Sequence, residues 1–184
     1  MEFVCKDPNA TVRAANVRAT LEAFDIAPHM AKRLIEKYQL PVNDLRPDNF
    51  VVVQRWLDAL KSIQQQFGDV LLHQTGTRII ENADFPPQFQ DAEAVLLALD
   101  DIYHLNHRGE VGHYRSSRNS DGSIEVRCET PYPRHFEHGL VEGITRNSRL
   151  TDGGKRQYHI QFREAPPGNE LTCTITVRRS SRSR

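Results

Sequence analysis

An α+β fold, with helices first and an antiparallel sheet after them, is predicted by three features of this chain. Apolar residues recur at helical spacing up to about residue 105. They alternate from about residue 110 onward, and one further helical stretch divides the alternating segments two and two. Helices, then strand, strand, helix, strand, strand, is the order of an antiparallel sheet packed by helices rather than of a parallel βαβ array.

Each element has a local reason. Residues 9–25 place Val12, Ala15, Ala19 and Phe24 at helical spacing, with Asn9 or Thr11 as the N-cap. Pro28 opens a second helix that carries Met30, Leu34 and Ile35 on one side and Tyr38 near its end. The connector 39–48 holds two prolines, and Asp48 can cap the next helix. Over 49–66, Phe50, Val53, Trp56, Leu57, Leu60 and Ile63 form a 3-4 stripe, and Gly68 ends it. A helix over 69–82 buries Val70, Leu71, Ile79 and Ile80 and is broken by the FPP of 85–87. The stretch 90–105 repeats the pattern with Ala94, Leu97, Leu99, Ile102 and Leu105.

Strands are expected at about 110–117 and 123–128, joined by the turn sequence NSDG. Pro131 and Pro133 bracket a turn before a helix at about 134–148. Two more strands, at about 155–163 and 170–178, flank the APPGN loop. The resulting division is a helical N-terminal extension (1–45), an α+β domain (46–178) and a disordered basic tail (179–184).

Composition narrows the function. Lys plus Arg (24) equals Asp plus Glu (24) over 184 residues, so no net field draws the chain to nucleic acid or acidic lipid. Five basic residues among 9–38 are offset by Glu22, Asp25 and Glu36, which weakens a DNA-binding reading. Three cysteines, odd in number and far apart, argue against a disulfide framework and for a reducing, cytoplasmic setting. The N-terminus has no signal-peptide stretch, and no apolar run approaches the ~18 residues of a membrane span.

The chemistry concentrates between residues 100 and 145. Tyr114, Ser116 and Arg118 stand two apart in a strand and so share a face. A phenol, a hydroxyl and a guanidinium fork suit an acidic ligand group; pairing with carboxylates across the sheet is the alternative. NHRG (106–109) reads as a helix C-cap, with Tyr103 and His107 as the alternative lining of a pocket mouth. Tyr132 and Phe136 are either core or an aromatic wall, and Trp56 is either core or pocket lining. No catalytic constellation stands out. Cys128 with His135 or His138 lacks a nucleophile-elbow setting, and neither a P-loop nor a G-x-G-x-x-G is present.

From about residue 68, the pieces FPP (85–87), LDDIYHLNHRGEVGHY (99–114), CETPYPRHFEHGLVEGI (128–144) and GNELTCTITV (168–177) resemble the superfamily that joins 4-vinyl reductase-type (V4R) domains with haem-NO/oxygen-binding (H-NOX) domains. This resemblance implies a helix-flanked antiparallel sheet around an apolar pocket, usually in bacterial ligand sensors. The family's zinc-like site is lost: Arg134 and Ala165 replace two of its cysteines and only Cys173 remains, so no metal site is expected. H-NOX domains hold haem propionates with the same Tyr-x-Ser-x-Arg run, but on a later strand, and supply an axial histidine from about thirty residues earlier. That window here, 78–86, contains no histidine; His73 precedes it and His104 comes after it.

The expected protein is therefore a non-enzymatic sensory or regulatory domain. It binds a small, largely apolar ligand through Trp56, Tyr103, His107, Tyr114, Ser116, Arg118 and Tyr132, and signals to a protein partner, with homodimerisation open to it. No cofactor is required on this reading. A haem-based gas sensor and a ligand-free interaction scaffold are the alternatives.

Overall fold

The computed structural model describes residues 2–22, 28–43, 46, 48–81, 89–166 and 171–180. The FPP of 85–87, Phe24, the glycine loop at 168–170 and the end of the tail, 181–184, lie outside the described residues. In chain order the elements are β1 (Thr11–Arg13), α1 (Ala14–Glu22), α2 (Pro28–Tyr38), β2 (Phe50–Val52), α3 (Val53–Phe67) and α4 (Asp69–Glu81). They continue with α5 (Ala92–Leu97), α6 (Leu99–Leu105), β3 (His107–Arg108), β4 (His113–Arg118), β5 (Ile124–Glu129), α7 (Arg134–Arg146), β6 (Tyr158–Glu164) and β7 (Cys173–Arg179).

The four-stranded antiparallel sheet has the order β4-β5-β7-β6. Alternation puts Tyr114, Ser116 and Arg118 of β4 opposite Cys128, Val126 and Ile124 of β5, which in turn face Cys173, Ile175 and Val177 of β7. This face is the inner one: five of those six β5 and β7 side chains are under 2 % exposed. α5, α6 and α7 pack over it, and α3 and α4 form a further layer whose stripe buries Val53, Trp56, Leu57, Leu60 and Ile63.

The α4–α7 contact is the closest in the molecule, because glycine lets the two backbones meet. A Cβ on Gly139 would lie 1.9 Å from the His73 carbonyl oxygen, and one on Gly76 would lie 2.1 Å from that of Phe136. Gly68 ends α3 as expected, at φ 76°, with its N–H on the Gln64 carbonyl.

Three expectations needed correction. The helices read from residues 9 and 49 begin with short strands, since Val12 pairs with Val51 and with His107 in a small sheet ordered β2-β1-β3. The helix read over 90–105 is two, divided at Ala98 (φ −99°, ψ 14°). α6 ends at Asn106 in a right-handed conformation, so Gly109 (φ 84°) turns the chain after β3 rather than capping the helix. The small sheet also joins strands from both sides of the 45/46 division, and Glu2 grips Arg134 through its guanidinium and backbone N–H.

Candidate functional site

Five of the singled-out polar and aromatic side chains meet where α6, β4, the Pro131–Pro133 turn and α7 converge. The turn delivers Tyr132, whose ring stacks on Phe136 (5.3 Å, 16°). α6 delivers Tyr103, whose ring stands edge-on to Tyr114 (5.1 Å, 89°) and whose hydroxyl donates to the Val111 carbonyl at 2.8 Å. His107 lies between them. Its Nδ1 is 2.8 Å from the Tyr103 carbonyl oxygen, which can only accept, so Nδ1 carries the proton. Nε2 then accepts from the Tyr132 hydroxyl at 2.9 Å. This is a neutral imidazole, and burial accordingly lowers the His107 pKa to about 4.

Tyr114 does not face a vacant acid site. Its hydroxyl donates to Glu137, and the Thr130 hydroxyl donates to the other oxygen of the same carboxyl. Glu137 is fully buried on α7, and desolvation raises its pKa to about 7 against the opposing pull of those two hydroxyls. Burial, with the Glu137 charge, pushes the Tyr114 phenol well up as well, so it remains a donor.

The other singled-out residues divide. Arg118 sits at the far end of β4, with Nη2 2.9 Å from Glu93 and Nη1 3.2 Å from the Gly122 carbonyl. Tyr114 and Arg118 both meet carboxylates, but on the helices α7 and α5 rather than across the sheet. Between these two residues the Ser116 Oγ is buried with no hydrogen-bond partner among the described residues. Trp56 is buried in the α3 stripe.

Glu137 and Thr130 were missed from the sequence. The signal was available: Glu137, Val141 and Ile144 stand at i, i+4 and i+7, which sets an acid in the buried stripe of α7. The cysteines held a second surprise, for Cys128 and Cys173 are far apart in sequence yet directly opposed across β5 and β7 as buried free thiols. A hydrogen bond with Cys173 and burial push the Cys128 thiol well up, which is the opposite of an activated nucleophile. His135 pairs instead with Asp69 (3.3 Å), and His138 stacks on Phe162 (4.7 Å, 9°). Arg134 holds Glu2 and Glu164.

Comparison with solved structures decides the architecture. An H-NOX protein from S. oneidensis in the Fe(II)NO ligation state superposes with a TM-score of 0.65 at 14% identity, covering 91% of this chain and 99% of its own. The fold is that of the H-NOX proteins. An oxygen-binding H-NOX domain related to soluble guanylate cyclases gives 0.66 at 10% identity, covering 92% and 95%. A structure described by the modulation of heme redox potential through porphyrin distortion gives 0.64 at 10%, covering 90% and 98%. No protein-family model and no curated protein matches the chain. The resemblance drawn from residues 68–177 thus holds in its H-NOX part as to fold. Among the described residues no helix is long and apolar enough to cross a membrane.

Proposed function

We propose that this chain is a non-catalytic sensory or regulatory domain that binds a small, largely apolar ligand and passes its occupancy to a protein partner. The reading rests on the inner face of β4. Tyr114 and Ser116 project into the layer beneath α5 and α6, Arg118 stands at its rim, and the Ser116 Oγ is buried without a partner among the described residues. A buried hydroxyl left unpaired costs about 1–3 kcal/mol, which a polar head group there would offset. The neighbouring array of Tyr103, His107, Tyr132 and Glu137 gives an occupied state something to rearrange. A bacterial, cytoplasmic setting and a homodimer belong to the same reading.

Organic extraction of the purified chain and mass spectrometry of the extract test it. One apolar molecule per chain is expected, depleted by Arg118→Ala and Ser116→Ala. A chain that emerges at its bare mass while retaining a protein partner would leave the interaction scaffold in its place.

Haem-based gas sensing is the second reading, favoured by the H-NOX fold and by the Fe(II)NO and oxygen states of the neighbours. The hydrogen bonding of this chain's histidines weighs against that cofactor. All eight histidines are described. His29, His113 and His159 are exposed, and both nitrogens of His107 are taken. His73 pairs with Glu142, His104 with His113, and His135 with Asp69, while His138 stacks on Phe162. The packing of α3, α4 and α5 is also tight: Leu57, Leu60, Ile63, Leu72 and Leu96 have essentially no surface open to water. Side chains around a porphyrin-sized hollow would not all be closed off in this way.

A further inference from the structure

Outside the buried array, a second cluster lies on the outer side of the α6–β4 junction. α6 carries Asp100 and His104 at i and i+4, hence on one face. β4 begins at His113, brought back beside them by the turn through Gly109 and Gly112 (φ 84° and 79°). A Cβ on Gly112 would lie 2.1 Å from the Glu129 carbonyl oxygen, so the return path of the chain is fixed by close backbone contact.

The three donor atoms converge. His104 Nε2 lies 3.2 Å from His113 Nδ1; His113 Nδ1 is 3.3 Å from Asp100 Oδ2; and His104 Nε2 is 3.5 Å from Asp100 Oδ1. All the candidate ligand atoms lie within 4.8 Å of one another. An ion bound at about 2.0–2.1 Å with tetrahedral angles sets its ligands about 3.3 Å apart, which is the spacing found here. The carboxylate is also oriented, since Asp100 Oδ1 accepts the Tyr114 N–H at 2.8 Å. Such outer support is what fixes a metal-binding carboxylate in place.

We infer that Asp100, His104 and His113 form a site for a divalent transition-metal ion, zinc first, that clasps α6 to β4. Two imidazoles and one carboxylate are a borderline donor set, suited to zinc, cobalt or iron(II) and poorly suited to calcium or magnesium, which take all-oxygen sites. The side chains of Asp100, His104 and His113 are 37%, 37% and 47% exposed, so the ion enters from solvent and keeps at least one position for water. The site is independent of the ligand proposed above. It shares only the Tyr114 backbone with that face.

The test is a zinc titration of the untagged, chelator-stripped full chain by calorimetry at neutral pH, with magnesium as the comparison ion. One equivalent of zinc and no magnesium is expected for the wild type and for His73→Ala, which removes an imidazole packed against His138 at the α4–α7 contact. His104→Ala and His113→Ala should each bind at least about 100-fold more weakly, the upper end of what even outer-shell changes cost. Both histidines are partly exposed, so unaltered far-UV circular dichroism is expected of the variants. In the wild type, zinc should shift the ring protons of His104 and His113 in NMR spectra, a readout that needs no variant. A wild type that binds no zinc, or histidine variants that bind as the wild type does, would overturn the inference.

Discussion

α7 is gripped on two sides by unlike means. Against α4 it presents Gly139 and Gly143, and the helices approach until backbone meets backbone. Toward β4 and the Pro131–Pro133 turn it presents Glu137, an acid without a cation, held by the hydroxyls of Tyr114 and Thr130. The first contact is specified chiefly by shape, with the His73–Glu142 and His135–Asp69 pairs at its sides. The second is specified by protonation and hydrogen bonding, and its integrity depends on the state of one carboxyl. Stability is concentrated in the glycine seam, while responsiveness belongs to the polar one.

The seam should give the largest effect. Gly139→Val places a Cβ where the His73 carbonyl oxygen already lies, so the helices must part; a loss of about 3 kcal/mol or more is expected in urea denaturation. A loss under about 1 kcal/mol would mean that the α4–α7 approach is not structural.

Glu137 comes next. Its folded pKa, about 7, lies above the ordinary 4.5, so the folded state binds the extra proton between those values. The stability it contributes is fully present below pH 4.5 and is lost as pH rises through 7. Glu137→Gln removes that loss. The stability of the variant relative to wild type should therefore rise by about 3 kcal/mol between pH 4.5 and 7, read from denaturation curves across that range. His107 runs the other way: with its pKa lowered to about 4, it favours the fold above 6.5 and costs stability as pH falls toward 4. A His107→Gln variant should lose that acid-side slope.

Smaller effects are expected at the edges of the polar seam. Tyr132→Phe takes the donor from His107 Nε2 and should cost about 1–2 kcal/mol, since a buried acceptor is left unpaired. Arg118→Ala removes a pair with Glu93 at a side chain 44% exposed, and a loss under about 1 kcal/mol is expected. A loss of several kcal/mol there would place Arg118 in the structural core rather than at a ligand rim.

Most of the architecture was legible because it is periodic. The stripe of α3, the alternation of β4 and β5 and the NSDG turn all speak through local spacing. The strands β1, β2 and β3 were invisible, since two or three residues are too few to display alternation, and their pairing is made by partners about 40 to 95 positions away. Nothing local marks the break at Ala98, for alanine is the best of helix formers; tertiary packing imposes it.

At the site, Tyr103, His107, Tyr114 and Tyr132 were each singled out as ligand-binding candidates, but their meeting in one hydrogen-bonded corner is made by the tertiary fold. Glu137, the acid that accepts from Tyr114, was hidden among the glycines and aliphatics of α7. Asp100, which no local pattern singles out, binds the Tyr114 N–H and faces two histidines, a role that only the return of β4 beside α6 creates.

The most direct measurement is a hemin titration of the purified full chain, monitored by absorption in the Soret region. The account predicts no one-to-one species whose spectrum depends on a histidine, because the buried His107 has both ring nitrogens engaged and the other histidines are exposed or paired. A stoichiometric complex abolished by replacing a single histidine would contradict it and establish haem as the ligand of this fold.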